Sequence, residues 1–309
     1  MKRSICLLAL STIMFSLIGC GQSGNGGGGG TTPVEKNVDV VIISGQSNAV
    51  GCTWGIYLAD TTGEKYDEYF NGYSDVKIAY DCWTKDWPAS GITFFSQNTS
   101  GVRGFVNVEL GQGNSLNTFG PEIGISESLH EKHANKLFII KFACGGSNLK
   151  DDWLAKNSPM YPKFIDYVNL QMGNLKDQGY KPTIKAFCWM QGEGDSYPGY
   201  YSHYQDNLRT FVGNVRSDLS SYSGNKEIPF IDAAINSDRN VWQYGPEVNE
   251  AKVAFAAESE NNYYIDTVAA GLHTNLEPFD VPDKCHYDSD SQIQLGHLFA
   301  EKIEPFLMQ

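Results

Sequence analysis

The chain has 309 residues, of which 41% are apolar, and a formal net charge of −13. This length and composition predict one large globular domain with a substantial core. The acidic balance argues against nucleic acid as a partner, because its phosphates would be repelled.

The N-terminus has the pattern of an export signal over residues 1–19. Lys2 and Arg3 precede an apolar run that is too short to span a membrane comfortably. The run ends in a sequence that resembles a bacterial lipobox, which implies cleavage before Cys20 and lipid attachment to its sulfur. A glycine-rich tether follows over 20–36. We therefore expect an exported protein, lipid-anchored to a bacterial membrane and facing the periplasm or cell exterior; secretion without a lipid is the alternative.

Five runs rich in β-branched and aromatic residues predict buried strands, and segments with apolar residues at helical spacing separate them. This alternation predicts a single three-layer α/β/α domain over 37–309, with a central parallel sheet of about five strands. Ligands of such sheets bind beyond the carboxyl ends of the strands. The predicted strands are 39–44, 137–143, 183–190, 228–234 and 263–266, and the predicted helices begin near Pro121, Tyr161, Tyr204 and Ser291.

Residues 52–118 interrupt this alternation. They are rich in aromatic residues, glycine and asparagine and show little periodicity. So long a stretch within a compact domain is usually functional or separately ordered. We interpret it as an insertion that borders the mouth of the active site; a structural flap remote from the site is the alternative.

Five of the seven cysteines lie beyond Cys20. Export permits disulfides, although the sequence does not fix their connectivity. A bridge between Cys52 and Cys82 is the favoured pairing, because both belong to the same insertion. No two cysteines have the C-x-x-C spacing of a zinc ribbon.

A candidate nucleophile, Ser47, directly follows the first predicted strand, within Gly45-Gln46-Ser47-Asn48. A serine at a strand-to-helix turn presents its hydroxyl above the sheet, and its backbone N–H points the same way. Serine is also a common helix N-cap, so this position alone is weak evidence. The motif is not GxSxG, so the nucleophile elbow of α/β-hydrolases does not fit.

A candidate base, His286, lies just before the last predicted helix, three residues after Asp283. A carboxylate at this spacing can fold back within one turn, accept the Nδ1–H and hold the ring in the tautomer that a base needs. The alternative is a histidine that caps or solvates the start of the final helix. Nearby Asp288 and Asp290 lack the full spacing of a calcium loop.

The third predicted strand ends in a cluster of polar residues. Gln191 offers a side-chain N–H at the carboxyl edge of the sheet, which suits an oxyanion hole. Glu193 and Asp195 raise the possibility of a glycosidase carboxylate pair. On so tight a loop we expect the two carboxylates to diverge rather than to flank a sugar bond.

Taken in order, these blocks resemble the SGNH hydrolase superfamily and, within it, the sialate O-acetylesterase-like group that includes carbohydrate esterase family 6 acetylxylan esterases. The resemblance extends from residue 38 to about 300 and implies a flavodoxin-like fold. The matching blocks are Gly45-Gln46-Ser47-Asn48, Phe119-Gly120-Pro121-Glu122, Gly145-Gly146-Ser147, Trp189-Met190-Gln191-Gly192-Glu193 and Asp283-x-x-His286.

The resemblance implies a role for each catalytic position. Ser47 would be the nucleophile and His286 the base that activates it and then protonates the leaving sugar oxygen. Asp283 would orient His286, with Glu193 as the second choice for that partner. No metal or cofactor is required. The Phe119–Glu122 block is better explained structurally, by a proline at a helix start and an acid in its first turn.

The resemblance also implies an oxyanion hole. Its donors would be the backbone N–H of Ser47, the backbone N–H of Gly146 (or, less favoured, of Gly145) and the side chain of Gln191. Gly194-Asp195 stands where a Ser-Asp or Ser-Asn pair is more familiar in the family, which puts the conformation of the adjoining loop in doubt.

The implied function is a carbohydrate O-acetylesterase whose substrate is an acetylated sugar. An acetylated neutral polysaccharide such as xylan is favoured over O-acetylated sialic acid, because the latter brings a carboxylate to an acidic protein. Two other functions remain as alternatives: a non-catalytic glycan-binding surface lipoprotein on an esterase scaffold, and a broader lipase or thioesterase with a long acyl tunnel. The sequence does not predict the oligomeric state.

Overall fold

The computed structural model describes residues 36–88, 90–98, 101, 103–274, 276–278 and 280–308. The predicted signal peptide, the lipidation site Cys20 and the tether up to residue 35 lie outside the described residues. Within the described ranges, no helix combines the length and the apolar character needed to cross a membrane.

The described strands form a large central sheet and a small two-stranded one. Their bounds are β1 Lys36–Gly45, β2 Thr53–Trp54, β3 Tyr73–Asp86, β4 Thr93–Asn98, β5 Val106–Val108, β6 Thr118–Phe119, β7 Leu137–Gly145, β8 Tyr180–Met190, β9 Phe230–Ala233 and β10 Asn262–Ile265. The large sheet has the order β10-β9-β8-β1-β7-β3-β4, and β5 pairs with β3. From β10 to β3 all neighbours are parallel, while β4 and β5 run antiparallel to β3.

Helices cover the sheet. Their bounds are α1 Ser47–Val50, α2 Leu58–Thr61, α3 Lys65–Asn71, α4 Glu122–His133, α5 Tyr161–Asp177, α6 Tyr204–Asp218, α7 Gly245–Ala256 and α8 Ser289–Ile303. Helices α5 and α6 share one face, because Phe164 and Phe211 both pack against Phe187 of β8. Helices α4 and α8 pack together so closely that a Cβ on Gly124 would lie 3.0 Å from the Cα of Gly296. The predicted three-layer α/β/α class is confirmed.

The five predicted strands are confirmed as β1, β7, β8, β9 and β10, but the central sheet is wider than predicted. The reason is that residues 52–118 are not purely a peripheral insertion: they supply β3, which pairs in parallel with β7 from Lys77↔Phe138 to Thr84↔Gly145. Helix α7 was also not predicted.

The favoured disulfide between Cys52 and Cys82 is wrong, because both cysteines are free. The Cys82 thiol lies on β3, fully buried, and contacts the backbone oxygen of Gln112 at 3.6 Å. The Cys52 thiol instead contacts the backbone oxygen of Ser47 at 3.5 Å. Sequence proximity within one insertion did not bring the two sulfurs together.

A buried ion pair ties α4 to the sheet. Lys141 of β7 and Glu122 of α4 are both fully buried, with 2.8 Å between Nζ and Oε1. Lys141 also donates to the backbone oxygen of Val50 at 3.1 Å, and Glu122 accepts from the N–H of Gly120 at 2.9 Å. The predicted structural role of the Phe119–Glu122 block is confirmed, with Pro121 as the N-cap residue of α4.

Candidate active site

Ser47 lies at the carboxyl edge of the sheet, between the ends of β1 and β7. It is half-buried and is the first residue of α1. A Cβ on Gly145, the last residue of β7, would lie 3.9 Å from the Cβ of Ser47. Within the described part of the chain, the hydroxyl of Ser47 makes no hydrogen bond. The hydroxyl is therefore free to meet a substrate at the place where parallel sheets bind ligands.

His286 and Asp283 form the pair that their spacing predicts. The Nδ1 atom of His286 lies 2.6 Å from Oδ2 of Asp283, and Oδ1 of Asp283 accepts the backbone N–H groups of Cys285 at 2.8 Å and His286 at 3.2 Å. Partial burial raises the pKa of Asp283, but these hydrogen bonds outweigh it and the net pKa is lowered. The carboxylate is thus ionised and fixed in front of the imidazole.

The same contacts act on the histidine in the opposite sense. Burial lowers the pKa of His286, but hydrogen bonds with Asp283 and Cys52 outweigh burial, so the net pKa lies above the usual 6.5. Because a carboxylate next to an imidazole stabilises the imidazolium, Asp283 makes His286 a stronger base.

Asn48 holds the His286 loop against the Ser47 turn. Its Oδ1 accepts the N–H of Tyr287 at 3.0 Å, and its Nδ2 donates to the carbonyl of Cys285 at 3.5 Å. Both chain neighbours of His286 are therefore bound to the residue that follows Ser47. Sequence analysis quoted Asn48 within the motif but gave it no role.

Glu193, the second-choice partner of His286, contacts Asn48 instead. Its Oε1 accepts from Nδ2 of Asn48 at 2.8 Å, and its Oε2 is buried without a hydrogen bond among the described residues. Burial raises the pKa of Glu193, although Asn48 and the nearby Lys252 and His286 partly offset this. Glu193 therefore reaches the His286 loop only through Asn48.

Gln191 does not point toward an oxyanion, which corrects the sequence prediction. Its Nε2 donates to Oε1 of Gln46 at 3.2 Å and to Oδ2 of Asp195 at 2.7 Å, so both amide hydrogens are in use. Its Oε1 accepts from the hydroxyl of Tyr204 at 2.9 Å. The motif places Gln191 at the correct sheet edge, but a buried network fixes the direction of its amide.

That network ties together the loops after three neighbouring strands. Oε1 of Gln46, after β1, also accepts the N–H groups of Gly192 and Gly194 after β8, at 3.2 and 3.1 Å. Asp195 accepts the N–H groups of Leu149 at 2.6 Å and Lys150 at 3.3 Å, after β7. Glu193 and Asp195 therefore diverge, as expected, and bind different loops.

The departure from the family pattern at Gly194 has a steric explanation. A Cβ on Gly194 would lie 2.3 Å from the backbone oxygen of Ser147, so no side chain fits there. Ser147 is itself fixed, since its Oγ donates to the carbonyl of Cys144 and accepts from Nε1 of Trp153. Glycine is required because the β8 loop passes directly over the β7 loop.

Two backbone N–H groups next to Ser47 are available to an oxyanion. Those of Ser47 and Gly146 make no hydrogen bond within the described residues. Gly146 has a φ of 73°, which favours glycine, and a Cβ there would lie 2.9 Å from Cη2 of Trp87. Gly145, the less favoured donor, remains in β7 opposite Thr84.

Cys52 is a site residue that sequence analysis assigned to a disulfide instead. Its thiol contacts the backbone oxygen of Ser47, and Cys52 lines the same cavity as His286, whose pKa it helps to raise. The signal that could have found it is its position, since only the remaining residues of the short helix α1 and Gly51 lie between it and Ser47. A chain that turns back after a single helical turn returns to the same edge of the sheet.

A cavity of about 200 Å³ opens beside His286. Three of its lining side chains are carboxylic acids. No lysine or arginine is among its lining residues, which all belong to the described part of the chain. The lining residues are Cys52, Thr53, Trp54, Tyr57, Glu277, Pro278, Asp283, His286, Tyr287 and Asp288.

The three-layer architecture and the order of its central strands define an SGNH hydrolase fold. A family profile described as "Carbohydrate esterase, sialic acid-specific acetylesterase" matches residues 37–304. The chain belongs to this family and is an ester hydrolase.

Two solved structures share the fold. A protein from Arabidopsis thaliana is 20% identical, with a TM-score of 0.59 over 87% of this chain and 99% of the plant chain. NanS is 13% identical, with a TM-score of 0.59 over 88% of this chain and 98% of NanS. No curated protein sequence matches the chain significantly.

Proposed function

We propose that the protein is a carbohydrate O-acetylesterase with Ser47 as nucleophile, His286 as general base and Asp283 as the residue that orients it. The observation that carries this proposal is the 2.6 Å contact between His286 and Asp283, on a loop that Asn48 binds beside Ser47. A free hydroxyl, an oriented imidazole and a buried scaffold are the elements of nucleophilic ester hydrolysis.

The reaction would proceed in two acyl-transfer steps. Ser47 attacks the acetyl carbonyl while His286 takes its proton, and His286 then returns that proton to the departing sugar oxygen. Water, activated by the same histidine, hydrolyses the acetyl-enzyme and releases acetate. The N–H groups of Ser47 and Gly146 would donate to the oxyanion in both steps.

The charge of the site favours a neutral acetylated glycan, such as acetylated xylan. Glu277, Asp283 and Asp288 line the cavity beside His286 without a lysine or arginine among its lining residues. The carboxylate of a sialic acid would be repelled and would find no cationic partner there. O-acetylated sialic acid is the second candidate, because the family description names it.

We also propose that the mature protein is anchored through a lipid on Cys20, with the esterase domain outside the cytoplasm. The support is the signal-like pattern of residues 1–19 and the glycine-rich stretch that follows. Incorporation of a labelled fatty acid in a bacterial host, and its loss in Cys20→Ala, would test the anchor.

The test of the catalytic proposal is acetate release from acetylated xylan, O-acetylated sialic acid and 4-nitrophenyl acetate. We expect hydrolysis of all three, with the highest kcat/KM among the carbohydrates on xylan. A fluorophosphonate should abolish the activity and add its mass to the peptide that contains Ser47. Failure to hydrolyse any acetyl ester would contradict the esterase and favour the glycan-binding alternative, whereas faster hydrolysis of the sialic acid would reverse the substrate order.

The pH dependence tests the partner of His286. Since the base must be neutral, kcat/KM should rise with pH through the pKa of His286. The midpoint of this rise, the acidic limb of the pH profile, should lie above pH 6.5. In Asp283→Asn the carboxylate that raises this pKa is gone while burial still lowers it, so the limb should move to lower pH. The same variant should lose kcat by roughly 10³- to 10⁴-fold, because the tautomer is no longer fixed.

Glu193→Gln is the matched control for that experiment. It replaces the other candidate carboxylate by an amide of the same shape and should move the acidic limb much less, because Glu193 bonds to Asn48 rather than to the ring. If the acidic limb of the pH profile shifted in Glu193→Gln and stayed in place in Asp283→Asn, Glu193 would be the carboxylate partner of His286.

A further inference from the structure

A second and larger cavity, of about 440 Å³, shares the lining residue Trp54 with the cavity beside His286. All its lining residues come from the 52–118 region that sequence analysis placed at the mouth of the site. They are Trp54, Gly55, Ile56, Tyr66, Phe70, Glu109, Leu110, Gly111, Leu116 and Asn117, and we call this cavity the Trp54 groove.

The proposed chemistry decides which part of a substrate lies nearest the Trp54 groove. His286 protonates the departing sugar oxygen, so the sugar must lie on the His286 side of Ser47 and not on the Gly146 side. The cavity on that side measures about 200 Å³, below the roughly 300 to 1,000 Å³ of typical ligand pockets. Together with the Trp54 groove, it falls within that range.

The lining of the Trp54 groove suits carbohydrate. Trp54 is 50% exposed and Phe70 65% exposed, and with the exposed Ile56 and Leu116 they form a group of exposed apolar side chains of the kind that marks ligand-binding grooves. The exposed side chains of Glu109 and Asn117 supply hydrogen-bonding groups at the same surface. Sugar rings present apolar C–H faces and a rim of hydroxyls. The aromatic side chains of the groove match the apolar faces, and its polar side chains match the hydroxyls.

The chain next to Trp54 is tied to the loop that carries His286. Its neighbour Thr53 donates to Oε2 of Glu277 at 3.1 Å, and the same carboxylate accepts the N–H of Ser289 at 2.9 Å and its hydroxyl at 2.5 Å. Glu277 thereby joins β2 to the start of α8, three residues after His286. The backbone that carries Trp54 is thereby fixed beside His286, which reduces the conformational entropy lost when a sugar ring stacks on the indole.

We propose that the Trp54 groove binds the sugar residues next to the acetylated one, so that the enzyme acts on glycan chains in preference to single sugars. This inference rests on the proposed function for its direction, because His286 assigns the sugar side. The shared lining residue Trp54 carries it, and the aromatic lining sets the chemistry of the occupant.

The test compares the wild type, Trp54→Ala and Phe95→Ala. Phe95 is a matched control, since it is an exposed aromatic residue of the same region that lines neither cavity. The substrates are an acetylated xylotetraose, an acetylated methyl xyloside and 4-nitrophenyl acetate. The wild type should prefer the tetraose over the xyloside by about tenfold in kcat/KM, a difference expected from one aromatic stacking contact.

In Trp54→Ala this preference should disappear through a higher KM, with a loss on the tetraose about tenfold greater than on 4-nitrophenyl acetate. Phe95→Ala should keep the wild-type preference. Equal rates per acetyl group on the tetraose and the xyloside in the wild type would overturn the inference. The inference would also be overturned if the wild type hydrolysed 4-nitrophenyl hexanoate faster than 4-nitrophenyl acetate and Trp54→Ala lost this preference. The groove would then hold an acyl chain.

A binding measurement separates this inference from the esterase proposal. Unacetylated xylotetraose should quench the tryptophan fluorescence of the Ser47→Ala protein, and this quenching should be lost when Trp54→Ala is added. Tetraose binding without hydrolysis of any acetyl ester by the wild type would support the sugar-binding groove and contradict the esterase proposal. Hydrolysis of acetyl esters without tetraose binding would support the esterase proposal and contradict the sugar-binding groove.

Discussion

Ser47→Ala is expected to reduce kcat for acetate release by about 10⁴- to 10⁶-fold. The substitution removes the atom that forms the acetyl-enzyme, so only the oxyanion donors and substrate binding remain, and these alone give a small residual rate. Because the hydroxyl makes no hydrogen bond within the described part of the chain, the variant should unfold at the same denaturant concentration as the wild type. Acetate release and urea unfolding on the same preparations would check both.

Cys52→Ser is the control that this experiment needs. The Cys52 thiol contacts the backbone of Ser47 and lies in the same cavity as His286, so a cysteine nucleophile is the alternative to be tested. If Ser47 is the nucleophile, Cys52→Ser replaces the thiol by a smaller hydroxyl that still donates and accepts hydrogen bonds, and it should change kcat by no more than about tenfold. A collapse of activity in Cys52→Ser, with Ser47→Ala near wild type, would transfer the role to Cys52.

Glu122→Ala should lower the free energy of unfolding by about 3 to 5 kcal/mol. Lys141 would keep its charge in a fully buried position with only the carbonyl of Val50 to accept from it, and the N–H of Gly120 would lose its acceptor. Leaving one member of a buried pair unpaired is costly because neither water nor a counter-charge replaces the lost partner. Guanidinium denaturation would measure the change.

Two further variants make this prediction specific. Glu304→Ala breaks the exposed pair with Lys132, whose side chains are 42% and 62% exposed, and should cost at most about 1 kcal/mol. Glu122→Leu combined with Lys141→Met replaces both charges by apolar groups and should recover much of the lost stability. A loss in Glu122→Ala no larger than in Glu304→Ala would show that the buried pair contributes little.

The strands that sequence analysis found are those dominated by apolar runs, such as 40–43 of β1, because burial on both faces leaves little room for polar residues. Strand β3 was not found because charged and polar residues interrupt its apolar ones, as at Asp81 and Lys85. Both are nevertheless buried: Ser96 donates to Asp81, and Lys85 lies 2.6 Å from Asp152. These partners are distant in sequence, so local pattern could not predict the strand.

For the site, the residue pattern was sufficient where chemistry depends on short spacing. The geometry of Asp283 and His286 follows from their separation by three residues, and the structure brings them together. The prediction that the Gln191 amide points toward the oxyanion was wrong, because the direction of the amide depends on contacts with Gln46 and Asp195 that the motif does not reveal. Cys52 was missed because its position depends on the turn after α1.

The placement of β3 inside the sheet limits how the protein can be shortened. Removing residues 52–118 to obtain a minimal catalytic domain would strip β7 of its outer neighbour, from Phe138 to Gly145. That edge is a nearly continuous apolar strand with unpaired backbone groups, which is a template for intermolecular β-pairing. Such truncated proteins should aggregate on expression, and any shortened version has to keep β3 in place.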